Sequence, residues 1–113
     1  MSSPVTTHVL DTARGQPAAG VVVVLEQDMG AGFAPVGKGM TDGDGRLRTL
    51  LQPGSLVPGA YRITFEVGEY FRAQQVEAFW RDVTIEFVVR DATAHYHVPL
   101  LVSPFGYSTY RGS

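Results

Sequence analysis

The chain has 113 residues, 44% of them hydrophobic and 18% charged, a size and balance that suit one globular domain spanning residues 1–113. A formal charge of −2, with Lys38 the only lysine and the arginines scattered, offers no basic face for nucleic acid. The absence of cysteine removes disulfides, thiolate nucleophiles and Cys-based zinc sites.

The opening residues MSSPVTTHVLD have neither the basic nor the apolar region of a signal peptide. Val21 to Leu25, the longest apolar run, falls far short of the ~20 residues of a membrane helix. A soluble, cytoplasmic protein with no membrane partner is the expectation. Glycine (13) and proline (7) recur between short runs of β-branched and aromatic residues, which predicts many short strands. Val5–Asp11 reads as the first, closed by the turn Arg14-Gly15-Gln16-Pro17. Gly20–Gln27 and Phe33–Thr41 follow, and the turn Asp42-Gly43-Asp44-Gly45 leads into a fourth strand over Arg46–Leu51. Ala60–Val67 alternates with Tyr61, Ile63, Phe65 and Val67 on one face. Gly68–Glu77 alone has helical composition and predicts one short helix. Val83–Arg90, His95–Ser103 and Tyr107–Arg111 complete about eight strands, a count that fits a two-sheet sandwich.

Strand parity then sorts the histidines. Val5, Thr7 and Val9 share one face, so Thr6, His8 and Leu10 take the other. Tyr96, Val98, Leu100 and Val102 share a face, which puts His95, His97, Pro99 and Leu101 opposite. If the more apolar sets face the core, the histidines sit on an outer surface that also carries Leu10, Pro99 and Leu101. A contiguous apolar patch marks an interface, so a second copy of the chain is expected to cover it.

Three motifs offer chemistry. His95-Tyr96-His97 places two imidazoles on one side of a strand, able to ligate metal with His8 or to act as acid-base groups without one. The plainer reading is a solvated His95 beside one functional histidine. Thr41-Asp42-Gly43-Asp44-Gly45-Arg46 echoes the start of a calcium loop, but Pro53 stands where the closing Glu belongs, so a tight turn is the better reading. Arg46 leaves that turn where the backbone is fixed, which suits a bidentate contact to an anionic or imide-like substrate. Its alternative is a solvated arginine. The end Tyr110-Arg111-Gly112-Ser113 gathers a phenol, a guanidinium, a hydroxyl and a carboxylate, or else simply frays. No nucleophile elbow, phosphate loop or dinucleotide fingerprint occurs.

Taken together, His8-Val9-Leu10-Asp11-Thr12, Asp44-Gly45-Arg46, His95-Tyr96-His97-Val98-Pro99-Leu100-Leu101 and the terminal Tyr110-Arg111-Gly112-Ser113 resemble the enzymatic branch of the transthyretin family, the 5-hydroxyisourate hydrolases. The resemblance runs from about Thr7 to the last residue. It implies an all-β sandwich of two four-stranded sheets with one short helix after the fifth strand. It also implies a homotetramer, a dimer of dimers, with a central channel lined by the outer face above, and no metal or organic cofactor. The implied reaction opens the six-membered ring of 5-hydroxyisourate to 2-oxo-4-hydroxy-4-carboxy-5-ureidoimidazoline. The hormone-carrying branch uses the same channel for thyroxine and lacks these His, Arg and Tyr-Arg-Gly-Ser positions.

On this reading His8, Arg46, His97 and Ser113 are catalytic, and His8, Arg46, Tyr110 and Arg111 bind substrate. Leu10, Pro99, Leu101 and Ser108 line the channel. A histidine activates water and Arg46 stabilises the charge that builds on the attacked carbonyl; whether His97 or His8 is the base stays open. The alternatives are a channel carrier of an aromatic ligand and a structural module. A carrier does not accelerate decay of 5-hydroxyisourate, and a lone module stays monomeric.

Overall fold

Period-two alternation decides which residues meet across the sandwich, and β6 (Gly59–Phe65) displays it most cleanly: Tyr61, Ile63 and Phe65 are buried while Arg62 and Thr64 point outward. The computed structural model describes residues 3–113 and contains nine strands and one helix among them. The others are β1 (Val5–Asp11), β2 (Gln16–Pro17), β3 (Val22–Asp28), β4 (Phe33–Met40), β5 (Arg46–Leu47), α1 (Val67–Ala73), β7 (Val83–Val89), β8 (Tyr96–Ser103) and β9 (Gly106–Thr109). One sheet has the order β2-β1-β8-β9, with β5 also pairing with β1; the other has the order β4-β3-β6-β7. Val5, Val9, Leu100 and Val102 from the first sheet meet Val23, Leu25, Ile63 and Phe65 from the second in the core.

The all-β sandwich with a single short helix is as expected; most strand ends shift by one or two residues, and three differences go further. The run Arg46–Leu51 keeps only two strand residues, because the segment beyond is tied elsewhere: Ser3 N–H donates to the Arg48 carbonyl, and Leu51 N–H to Ser3 Oγ. Leu50 drops into the core at a place where a side chain on Gly37 would overlap its backbone. The turn Arg14–Pro17 contains β2, so the helix follows a sixth strand. The helix covers Val67–Ala73, not Gly68–Glu77, and Gln75 at φ +59° marks the reversal that follows it. Its buried face is Val67, Tyr70 and Phe71, the i, i+3, i+4 set. Tyr70 O–H donates to Asp11 Oδ2 at 2.8 Å, while Asp11 Oδ1 accepts from the Ala13 and Arg14 N–H groups, which pins the helix to the end of β1.

The site depends on one strand pair. β1 and β8, from opposite ends of the chain, run parallel with Thr6 beside His97, His8 beside Pro99 and Leu10 beside Leu101. β9 continues the rows, with Leu101 opposite Ser108 and a bridge between His97 and Gly112. Leu10, Leu101 and Ser108 thus form one cross-strand row on the outer face. Pro99 belongs to that face by parity but is buried, and its carbonyl accepts from Thr109 Oγ1.

Candidate active site

The sequence Asp42-Gly43-Asp44-Gly45 builds a turn whose product is a fixed Arg46. Asp42 Oδ1 accepts from the N–H groups of Asp44 (2.9 Å) and Arg46 (3.0 Å), and Asp42 N–H donates to the Arg46 carbonyl. The Arg46 N–H is the leading cause that holds the Asp42 carboxyl below the usual range. Gly45 sits at φ +75°, and a side chain there would overlap the Val9 carbonyl. Val9 N–H donates to the Gly45 carbonyl at 2.7 Å, so the turn is clamped onto β1 with Arg46 opposite His8.

His97 is held from two sides. Its Nδ1 lies 2.8 Å from Thr6 Oγ1, which is also 3.0 Å from His95 Nε2. The two rings are nearly parallel, with centroids 6.4 Å apart. On the opposite side Gly112 N–H donates to the His97 carbonyl, and any side chain at Gly112 would overlap Cδ2 of the ring. With Nδ1 engaged, Nε2 is the free nitrogen of His97 among the described residues. Burial, then the guanidinium of Arg46, then His95 and His8, hold the imidazole below the ordinary histidine value and favour its neutral form.

These groups line a cleft of about 220 Å³ formed by Thr6, Thr7, Arg46, Arg48, His95, His97 and Ser113. That is smaller than the ~300–1,000 Å³ of drug-sized sites and suits a compact polar ring. Of the four residues expected to be catalytic, Arg46, His97 and Ser113 share this cleft. His8 lies on the same face, but its Nε2–H donates to the Asp44 carbonyl at 2.9 Å, so the ring braces the turn that carries Arg46. Tyr110 and Arg111 border a neighbouring cleft of about 250 Å³ that opens beside Ile85, Phe87 and Val88. The Arg111 guanidinium stacks on Tyr96 at 4.5 Å and donates to the His95 carbonyl.

Sequence reasoning passed over Thr6 and Arg48. The parity of β1 put Thr6 on the histidine face, but only the β1–β8 register reveals that it meets His97. His95 is not merely a solvated strand residue, since its Nε2 engages Thr6. Among the described residues no group of three or more His, Asp or Glu side chains is placed to hold a metal ion. The facing nitrogens of His95 and His97 are instead bridged by the Thr6 hydroxyl.

The fold and the cleft together define a transthyretin-like sandwich whose outer face carries acid-base and guanidinium groups. The sequence model of the HIUase/Transthyretin family matches residues 5–112, and the chain belongs to that family. A 5-hydroxyisourate hydrolase of Deinococcus radiodurans is 50% identical over 112 residues, covering 96% of this chain and 94% of that protein. The solved 5-hydroxyisourate hydrolase of Klebsiella pneumoniae superposes with a TM-score of 0.85 at 35% identity, covering 96% of this chain and 92% of that one. Sea bream transthyretin in complex with thyroxine superposes with a TM-score of 0.92 at 28% identity, covering 97% and 95%. Backbone likeness therefore does not separate a hydrolase from a thyroxine-binding transthyretin. The side chains in the cleft must.

Proposed function

We propose that this chain hydrolyses 5-hydroxyisourate, opening its six-membered ring to give 2-oxo-4-hydroxy-4-carboxy-5-ureidoimidazoline. The observation that carries the reading is the meeting of His97, with Nε2 free, and the turn-locked Arg46 in one small cleft. High identity to hydrolases along nearly the whole chain supports it. A carrier of an apolar ring gains nothing from a guanidinium and a neutral imidazole converging on one spot.

In the proposed reaction Nε2 of His97 takes a proton from water as the water oxygen adds to the ring carbonyl carbon. Arg46 donates to the oxyanion that forms, and Arg48 adds positive potential at the same cleft. The ring carbon–nitrogen bond then breaks, and the imidazolium returns its proton to the departing nitrogen. The sum is addition of one water, with no cofactor. Ser113, at the cleft wall, orients the substrate through its hydroxyl. Tyr110 and Arg111 brace the tail that carries it, and His8 holds the turn of Arg46.

The same proposal includes one functional domain over residues 1–113, a cytoplasmic location and a homotetramer. Supporting association, Val88 on β7, Tyr107 on β9 and the nearby Phe79, Phe105 and Tyr110 are exposed apolar groups along the side where the sheets end in the edge strands β7 and β9. No helix among the described residues is long and apolar enough to cross a membrane.

The test is the ultraviolet decay of freshly made 5-hydroxyisourate at catalytic protein concentration. Wild-type protein should accelerate it, and His97→Asn should lower turnover by ~10²-fold or more. Near-wild-type turnover in that variant refutes His97 as base; no acceleration by wild type refutes the enzyme. Sedimentation of wild type should give a species of four chains.

A further inference from the structure

The hydroxyl between the two histidines has a consequence for which nitrogen of His97 carries the proton. Thr6 is buried, and Oγ1 has two ring nitrogens as partners, His97 Nδ1 and His95 Nε2. A hydroxyl carries one proton, and among the described residues Oγ1 has no other side-chain or backbone partner. Accepting from both rings would bury that proton unused, so it donates to one ring while accepting from the other. If Thr6 donates to His97, Nδ1 is the acceptor and the proton of the neutral ring sits on Nε2, where no base remains. If Thr6 donates to His95, Nδ1–H of His97 donates to Oγ1 and Nε2 keeps its lone pair.

The cleft favours the second arrangement. Arg46 and Arg48 line it with His97 and can only donate, so a cleft that holds them favours an acceptor nitrogen over a further N–H on His97. His95, being exposed, can take whichever tautomer the chain of bonds asks of it.

We propose that Thr6 is the positioning residue of this site: it accepts from Nδ1–H of His97, donates to Nε2 of His95, and thereby keeps Nε2 of His97 bare for proton abstraction. The proposal rests on the reading of His97 as the base for ring opening. It also gives His95 a duty, as the anchor of the Thr6 proton. The order His95–Thr6–His97 is a hydrogen-bonded orienter behind a catalytic imidazole, with a neutral hydroxyl in the place a carboxylate often holds.

The test joins a spectroscopic reading of the free protein to kinetics. In wild-type protein with 15N-labelled histidine at pH 8, His97 should show a protonated Nδ1 and an unprotonated Nε2. Thr6→Val, which keeps the shape and the strand preference, should move His97 toward the Nε2–H tautomer. It should also lower kcat about tenfold to a hundredfold with KM changed less than about twofold, because the lost group acts on the base and not on substrate binding. Thr6→Ser should restore both tautomer and kcat. A wild-type His97 that carries its proton on Nε2 overturns the proposal before any variant is made. So does a Thr6→Val protein with the wild-type tautomer and kcat, or a Thr6→Ser protein as slow as Thr6→Val. The tautomer is read without substrate, so it judges Thr6 even if wild type fails to accelerate 5-hydroxyisourate decay, an outcome that strikes the functional reading instead.

Discussion

Gly112 offers a sharp perturbation of the site, because its backbone does not need glycine and its surroundings do. Unlike Gly45, it does not lie in the positive-φ region, so alanine is free to adopt its conformation. The new methyl, however, would overlap Cδ2 of His97 and press on Cγ as well. Either the imidazole tilts away from Thr6 or the tail lifts and takes Ser113 out of the cleft. Overpacking of this kind costs about 1–3 kcal/mol where it cannot relax. Here the exposed tail can yield, so the stability loss should be at the low end. The catalytic loss should be larger, since displacing a reacting group by about 1 Å can cost ~10² in rate. Gly106→Ala is the matched control: it lies in the same terminal segment, and its added carbon would meet only Ser103 Oγ at 3.7 Å, an ordinary contact. Melting curves and 5-hydroxyisourate decay, measured on both, should show Gly112→Ala folded but slowed ~10²-fold and Gly106→Ala close to wild type. Equal activity in the two variants, or equal loss, refutes the view that Gly112 seats the His97 ring.

The pH dependence follows from the same ring. His97 shares its surroundings with Arg46, Arg48, His8, His95 and Ser113, and its protonation is disfavoured first by burial and then by Arg46. The acid limb of kcat/KM should therefore fall below the ordinary histidine value of about 6.5. Arg46→Gln removes a positive neighbour, so it should move that limb to higher pH besides lowering the plateau; an unmoved limb would sever the coupling. The sign for stability is also set: a depressed folded value means the unfolded chain binds the proton more readily. The His97 contribution is present above about pH 6.5 and is lost as pH falls toward the folded value, to be read as a declining denaturant midpoint. Asp11→Ala strands the Tyr70 hydroxyl and two turn N–H groups, so it should cost about 3 kcal/mol in equilibrium unfolding. A loss under about 1 kcal/mol would mean that water replaces the carboxylate there.

Much of this architecture was legible before folding was considered. Alternation in VTTHVLD and HYHVPLLV assigned inner and outer faces, and burial follows them except at Thr6 and Pro99, which are buried on the outer side: Val5, Val9, Val98, Leu100 and Val102 lie inside, with His8, Leu10, His97 and Leu101 half-exposed opposite. The Asp-Gly steps announced the turn before Arg46. The extent of the fourth strand was not legible, because Arg48–Leu51 is tied to Ser3, far away in the chain. Nor was the duty of Thr6, whose partners are 89 and 91 residues distant.

The division has a physical cause. Side-chain parity is a local property of an extended backbone, with period two, so the sequence alone could set His8 apart from Val9 and His97 apart from Val98, and outward if the more apolar sets face the core. Together with the terminal Tyr-Arg-Gly-Ser, that was enough to point to the family. Register is not local: sliding β8 by two residues along β1 preserves every inward and outward face while separating Thr6 from His97. The tertiary structure alone settled that Thr6 bridges His95 to His97, that His8 braces the turn of Arg46, and that Gly112 is small because the His97 imidazole lies against it.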